Sequence, residues 1–293
     1  MIIRNQAIRL AFVISIRSLD NIHQSLHELE KVISHVDLIV VVNQSREKLV
    51  LEDRIVSERI VNVISTETLG LSRGRNIGID FLVKSLNNSD GIIFPNDVSK
   101  YSEHSITLMR EHLLMNPNSI AVGSWVSDKG VVLLSPFQKY ENSRHLTRAY
   151  EPAIVFPLKL FSLGLRFDES IGTGSASPYQ SGEGAHLLYE ALHKNIQIIT
   201  QSQIECVNPT TKRALSVKEY TKKSFYYGAG TGFYLREKLW PDSMFQSLVL
   251  IFGPLVGYLV GKGYWKTQGL LFTFCNFLGR IYGFIRFRER IQA

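Results

Sequence analysis

The sequence predicts an α/β protein built on a doubly wound parallel sheet. Three observations carry this. Strand-like and helix-like runs alternate through the first hundred residues. Asp37 to Val42 is an unbroken apolar run, the pattern of a parallel strand buried on both faces. Polar clusters stand where the strands end: Ser15 to Ser18, Asn43 to Ser45, and Asn96-Asp97. In open sheets of this kind, ligands bind beyond the carboxyl ends of the strands.

Taken in order, Leu10 to Ile16 is a β-rich run. Ile22, Leu26, Leu29, Val32 and Ile33 recur at helical spacing and predict a helix over 22–33. After the strand at Asp37 to Val42 come a short strand at Ile60 to Ser65, a helix over Leu71 to Leu86 and a strand at Gly91 to Phe94. A helix from Thr107 to Leu114 and a strand from Ile120 to Trp125 continue the rhythm. Val131 to Pro157 is less regular and reads as antiparallel strands or long loops. A Gly/Ser-rich stretch from Gly172 to Gly184 leads into a helix over Ala185 to Lys194, and Ile196 to Thr200 is a late strand.

The tail differs in kind. Residues 244–261 carry no charge, nor do residues 267–279, and the apolar character runs on to Ile285 past Arg280. An 18-residue helix reaches roughly 27 Å, barely the thickness of a hydrocarbon core. Pro254 and the glycines are expected to bend it, and Lys262, Lys266, Arg286, Arg288 and Arg290 flank the two segments. These features predict a helical pair in or on a membrane surface in preference to two clean spans, the alternative being an appendage packed on the main domain. The division is a main domain over 1–238 and a tail over 239–293.

Of 293 residues, 45% are hydrophobic and 20% charged, which excludes a disordered chain. The net charge of +7 suits a polyanionic or phosphorylated partner without choosing among them. Cys206 and Cys275 stand far apart and in no metal-binding spacing, so no disulfide framework is expected and the compartment reads as reducing. The N-terminal run reads as a first strand, since no small-residue cleavage site follows it.

Three segments are candidates for chemistry. In Leu69-Gly70-Leu71-Ser72-Arg73-Gly74-Arg75-Asn76, a strand gives way to a helix, and two arginines stand where they can face a diphosphate. The same residues also read as a basic helix cap. In Phe94-Pro95-Asn96-Asp97-Val98, an acidic residue follows a central strand, placed for a ribose hydroxyl or a metal, or for capping the next helix. In Ser181-Gly182-Glu183-Gly184-Ala185-His186, a carboxylate opens a helix, where it can serve as a general base or simply complement the helix dipole.

In this order, and with DLIVVVNQS before them and YYGAGTGFYLREKLW after, the segments resemble the family 2 glycosyltransferases of GT-A fold that build bacterial capsule, O-antigen and exopolysaccharide. The likeness covers nearly all of the chain. It implies transfer of a sugar from a nucleotide-diphosphate sugar, UDP-linked in the first instance, to a hydroxyl, with inversion. Glu183 is then the base. Ser15, Asn43, Arg73, Arg75, Asn76, Asn96 and Asp97 are the donor-binding set, with Asp97 also counted as catalytic and as the metal ligand. A divalent cation, Mg²⁺ or Mn²⁺, is implied with that one obvious ligand. The tail resembles the family's membrane-associated helices, which implies a lipid-linked acceptor at the cytoplasmic face of the inner membrane.

The chain departs from the family pattern in several places. Val98 stands where a metal-binding aspartate is usual, and Gly184 where an aspartate often follows the glutamate. His186 replaces an acidic residue, and Asn43 an acidic residue near the base. These departures leave a second reading, a non-catalytic subunit of a polysaccharide assembly complex. A nucleotidyltransferase fits less well, because Ile14 to Leu19 contains no glycine for a nucleotide loop. Nucleic-acid binding is not expected: it accounts for the charge but not the motif order, and the aromatics gather in the apolar tail.

Overall fold

Alternation along the first two strands sets up the layers. In β1 (Leu10–Ile16), Leu10, Phe12, Ile14 and Ile16 face one side and Ala11 and Val13 the other; in β2 (Leu38–Asn43), Ile39 and Val41 join the first side and Leu38, Val40 and Val42 the second. Both faces are therefore covered. The first is closed by α1 (Ile22–Glu30) and α3 (Glu103–Met115), the second by α2 (Leu71–Ser85) and α6 (Glu183–His193). The computed structural model describes residues 8–34, 36–50, 60–67, 70–86, 90–208, 216–261 and 269–286. Of the positions singled out in the sequence, Leu69, Lys262, Lys266, Arg288 and Arg290 lie outside these.

The remaining elements are β3 (Ile60–Ser65), β4 (Gly91–Ile93), β5 (Lys100–Tyr101), β6 (Ile120–Ser127), β7 (Val132–Leu134), α4 (Ser143–Leu146), β8 (Ile154–Pro157), α5 (Leu158–Ser162), β9 (Ile198–Asn208), α7 (Val217–Tyr234), α8 (Met244–Leu259) and α9 (Leu270–Ile285). The strands join one sheet in the order β3-β2-β1-β4-β8-β6-β9-β5, with β7 on β6. The half β3-β2-β1-β4 is parallel as expected, but β8 runs antiparallel to both β4 and β6, so the sheet is mixed. A four-residue strand buried on both faces carries no sequence signal for its direction. The register aligns Ile16, Asn43 and Ser65 at one edge. The chain winds from β1 through β2 to β3, then returns to β4 on the other side of β1. That makes the gap beyond β1 and β4 the switch point where such sheets bind ligands.

Several element bounds differ from expectation by a few residues, and two of them have clear local reasons. α3 begins at Glu103, because Ser102 caps it by accepting from the Ser105 N–H at 3.1 Å. β9 extends to Asn208, since its polar second half pairs with β5 and with the far end of β6.

Glycines set how closely α2 approaches the sheet. A Cβ at Gly78 would meet Val13 Cγ1 at 2.4 Å, and one at Gly74 would meet Ser15 Oγ at 2.2 Å. Gly70 turns the chain into α2 at φ +107°, a conformation that disfavours any side chain.

The tail is helical, as expected, and docks on the main domain. α9 lies against α7 so closely that a Cβ at Gly283 would stand 1.9 Å from the Ala229 carbonyl oxygen. Ser224 Oγ donates to the Phe272 carbonyl at 2.7 Å and Asn276 Nδ2 to the Ser224 carbonyl at 3.2 Å. α8 runs through Pro254 without ending. Proline has no N–H for the Leu250 carbonyl one turn back, and the Arg280 guanidinium of α9 donates to that carbonyl instead. Among the described residues, no helix is long and apolar enough to cross a membrane.

Candidate active site

A cavity of about 450 Å³ opens where the sheet's switch-point edge meets the tail. Arg75 of α2 forms part of its wall, as do Glu151 and Glu183, Tyr227 and Tyr234 of α7, and Arg280 of α9.

Arg75 is 1% exposed, although it is cationic. Its guanidinium lies 5.8 Å from the Phe94 ring centroid and 5.3 Å from that of Phe167, so aromatic faces supply part of its solvation. Two carboxylates lie beside it as counter-charges. Arg75 Nη1 stands 2.5 Å from Glu151 Oε1 and 3.8 Å from Glu183 Oε1. Glu183 opens α6 after Gly182, which bends the chain in at φ +96°. Gly172 packs beside it, where a Cβ would lie 3.3 Å from the Glu183 carboxyl carbon.

Glu151 comes from a 3-10 turn over Glu151–Ala153. Its neighbours hold it in place. Tyr150 stacks on Trp125 with centroids 4.6 Å apart, and the Tyr150 hydroxyl accepts from Asn208 Nδ2 at 2.5 Å and from Asn96 Nδ2 at 3.4 Å. The Tyr101 hydroxyl donates to the Pro152 carbonyl at 2.7 Å. Burial raises the proton affinity of both carboxyls against the opposing pull of Arg75, and takes Glu151 up to about 8.

The sequence-predicted residues fall into groups. Arg75, Asn96 and Glu183 line the cavity together. Asp97 lies outside its wall, in the turn after β4, where it accepts from Asn21 Nδ2 at 3.4 Å. Ser15 Oγ, at the end of β1, accepts from Gln44 Nε2 at 2.6 Å. Asn43 is spent on its own turn, donating to the Glu47 carbonyl at 2.8 Å and accepting from the Ser45 N–H at 2.9 Å. Asn76 binds the 167–169 loop: its amide exchanges hydrogen bonds with both the N–H and carbonyl of Phe167 and donates to Glu169 Oε1 at 3.0 Å. Arg73 is exposed and pairs with Glu169 at 3.5 Å. His186 stacks on Phe233 and lies 3.7 Å from Glu237, joining α6 to the turn after α7.

Sequence reasoning missed Glu151, Tyr150 and Arg280. Glu151 stood in the stretch read as strands or loops, and the one local sign was an acidic residue before Pro152.

Among solved structures, the chain is similar to the mannosyltransferase PcManGT from Pyrobaculum calidifontis, in complex with GDP-Man and Mn²⁺. The TM-score is 0.60 at 9% identity, over 95% of this chain and 87% of that one. The fold is that of the GT-A glycosyltransferases. S. aureus TarS 1–349 in complex with UDP-GlcNAc gives a TM-score of 0.56 at 13% identity, over 97% and 92% of the two chains. GalNAc-T7 with UDP, GalNAc and Mn²⁺ gives 0.52 at 11% identity, over 78% of this chain and 51% of that one. No family model matches the chain, and no curated protein matches it in sequence. The GT-A likeness is therefore one of three-dimensional arrangement.

Proposed function

We propose that the chain is a glycosyltransferase that moves a sugar from a nucleotide-diphosphate sugar, UDP-linked in the first instance, to a hydroxyl of a lipid-linked or growing surface polysaccharide. The observation that carries this is the buried Glu183 beside Arg75 at the switch-point cavity of a GT-A sheet. In a single displacement, the acceptor oxygen bonds to the anomeric carbon from one face as the bond to the phosphate oxygen breaks on the other. Configuration inverts, the electron pair leaves on the diphosphate, and the acceptor proton passes to Glu183. Burial raises the proton affinity of Glu183, which suits a base working near neutrality. Arg75 supplies fixed positive charge beside the reacting centre.

A divalent cation fits this site only in part. Among the described residues, no group of three acidic, histidine or cysteine side chains converges on a point. Asp97 offers one carboxylate, next to Asn96 but outside the cavity wall, so Mg²⁺ or Mn²⁺ would take its other ligands from donor phosphates and water, an arrangement common for Mg²⁺. The ion would neutralise charge on the leaving diphosphate.

The tail supports a membrane-linked acceptor. α8 exposes Phe245, Val249, Phe252, Val256 and Leu259, and α9 exposes Leu271, Phe274 and Ile285. Basic residues flank these segments in sequence, which suits an anionic lipid surface such as the cytoplasmic face of a bacterial inner membrane. The helices would lie along that surface and open the cavity toward it.

The test is release of nucleoside diphosphate from a panel of nucleotide sugars, with and without Mn²⁺, by wild type and Glu183→Gln. A loss of about 10²–10⁴-fold in the variant is expected for removal of a general base. Nucleotide binding without turnover, unaffected by Glu183→Gln, would instead favour the non-catalytic subunit.

A further inference from the structure

Two carboxylates, not one, face the cavity around Arg75. Glu183 enters from the first turn of α6 and Glu151 from the 3-10 turn before β8. Both reach the same nitrogen, Nη1, at 3.8 and 2.5 Å. The guanidinium they share is 1% exposed. If both acids were ionised, the trio would bury a net negative charge, which a low-dielectric interior strongly disfavours. Two carboxyls in one site resolve this by retaining a proton between them. The rise in proton affinity at both groups agrees with this, and Glu151 keeps its proton up to about pH 8.

The site distinguishes the two acids. Glu183 begins an eleven-residue helix and accepts a hydrogen bond from its own backbone N–H, both of which favour its anion. Glu151 sits in a three-residue turn with no comparable helix behind it. It also lies where α6 leaves room: a Cβ at Gly184 would stand 3.2 Å from Glu151 Cβ and 3.3 Å from its Oε2.

The other groups facing this pair do not replace either carboxylate. Tyr150 and Asn96 hydrogen-bond to each other, and the Tyr234 hydroxyl of α7 donates to the Ser143 carbonyl. Tyr227 of α7 contacts Thr173 through its hydroxyl at 3.3 Å. Arg280 of α9 donates to Asn276 Oδ1 and to the Leu250 carbonyl.

We propose that Glu151 is the second carboxylate of the base site, a positioning residue that fixes Arg75 and holds the shared proton so that Glu183 is left ionised toward the acceptor hydroxyl. The role in transfer rests on the reading of Glu183 as the base; the proton sharing does not.

The experiment follows the glutamate carboxyl carbons by NMR across pH in ¹³C-labelled full-length protein. Wild type is compared with Glu151→Gln, Glu151→Asp and Glu183→Gln, and kcat/KM is recorded over the same range. In Glu151→Gln, whose amide mimics the protonated acid, the titration of Glu183 is expected to stay near its wild-type pH. The acid limb of kcat/KM should stay with it, and Glu151→Asp should also stay near wild type. Glu183→Gln removes the neighbouring anion and should lower the pH at which Glu151 titrates by about one unit or more, the size of coupling that marks interacting sites. That arm decides the matter if Glu151→Gln does not fold. An unmoved Glu151 titration in Glu183→Gln, or a uniform loss of activity at every pH in Glu151→Gln, overturns the proposal. A shifted titration in a protein that transfers no sugar would leave the proton-sharing pair standing and remove the transferase reading.

Discussion

The Glu151 carboxylate lies against the bare Cα of Gly184, in space that a methyl group would enter at 3.3 Å from Oε2. Gly184 is the second residue of α6, where alanine is intrinsically the better helix former. Helix propensity and site geometry therefore pull in opposite directions. Gly184→Ala is expected to keep or raise the melting temperature while displacing Glu151 and lowering turnover. Paired thermal melts and nucleotide-release assays check this. A variant with unchanged turnover would show that the contact is slack.

The acids also tie stability to pH. Burial pushes the Glu151 carboxyl up to about 8 from its ordinary 4.5. The folded state therefore binds more protons than the unfolded state between those limits, and stability falls as pH rises through that window. Its contribution is complete below about 4.5 and lost above about 8. Urea denaturation at a series of pH values should show a steeper decline for wild type than for Glu151→Gln between pH 5 and roughly 8. Parallel curves would sink the assignment.

Asn76 and Arg73 are neighbours in one motif with different work. Asn76 is buried and makes three hydrogen bonds to the 167–169 loop, whereas Arg73 is 58% exposed at the side chain. Asn76→Ala should cost about 1–3 kcal/mol, because buried polar groups of that loop lose their partners. Arg73→Ala should stay within about 0.5 kcal/mol. Denaturant unfolding of both variants separates them.

In the tail, Arg280→Met is expected to destabilise by about 1–3 kcal/mol by leaving the Leu250 carbonyl without a donor. Pro254→Ala restores a helical N–H to that carbonyl. The cost of Arg280→Met should therefore shrink in the Pro254→Ala background. An identical cost in both backgrounds would show that the pairing contributes nothing.

The exposed apolar face gives a binding prediction. Phe245→Glu/Phe252→Glu should weaken sedimentation with anionic phospholipid vesicles at least ten-fold, since each phenylalanine withdrawn from water contributes about 1.5–3 kcal/mol. Equal binding by the variant would move the membrane contact elsewhere.

The sequence by itself determined what is local and periodic. The apolar run at 37–42 and the alternation in 10–16 dictated buried strands; the helical spacing at 22–33 and the glycines at 70, 74 and 78 dictated helices close against them. The three polar clusters could be placed at one edge because parallel strands end together. Only the tertiary structure decided the direction of β8, the docking of α9 on α7, and which candidate side chains share a cavity. Asn43 and Asn76 carry the residue type of ligands, but their amides are taken up by a turn and a loop that no pattern announces. Glu151 is the converse case, ordinary in its stretch of sequence yet brought within 2.5 Å of an arginine 76 positions earlier. Long-range pairing of buried charges depends on how the chain returns through space, and residue type and spacing do not encode that return.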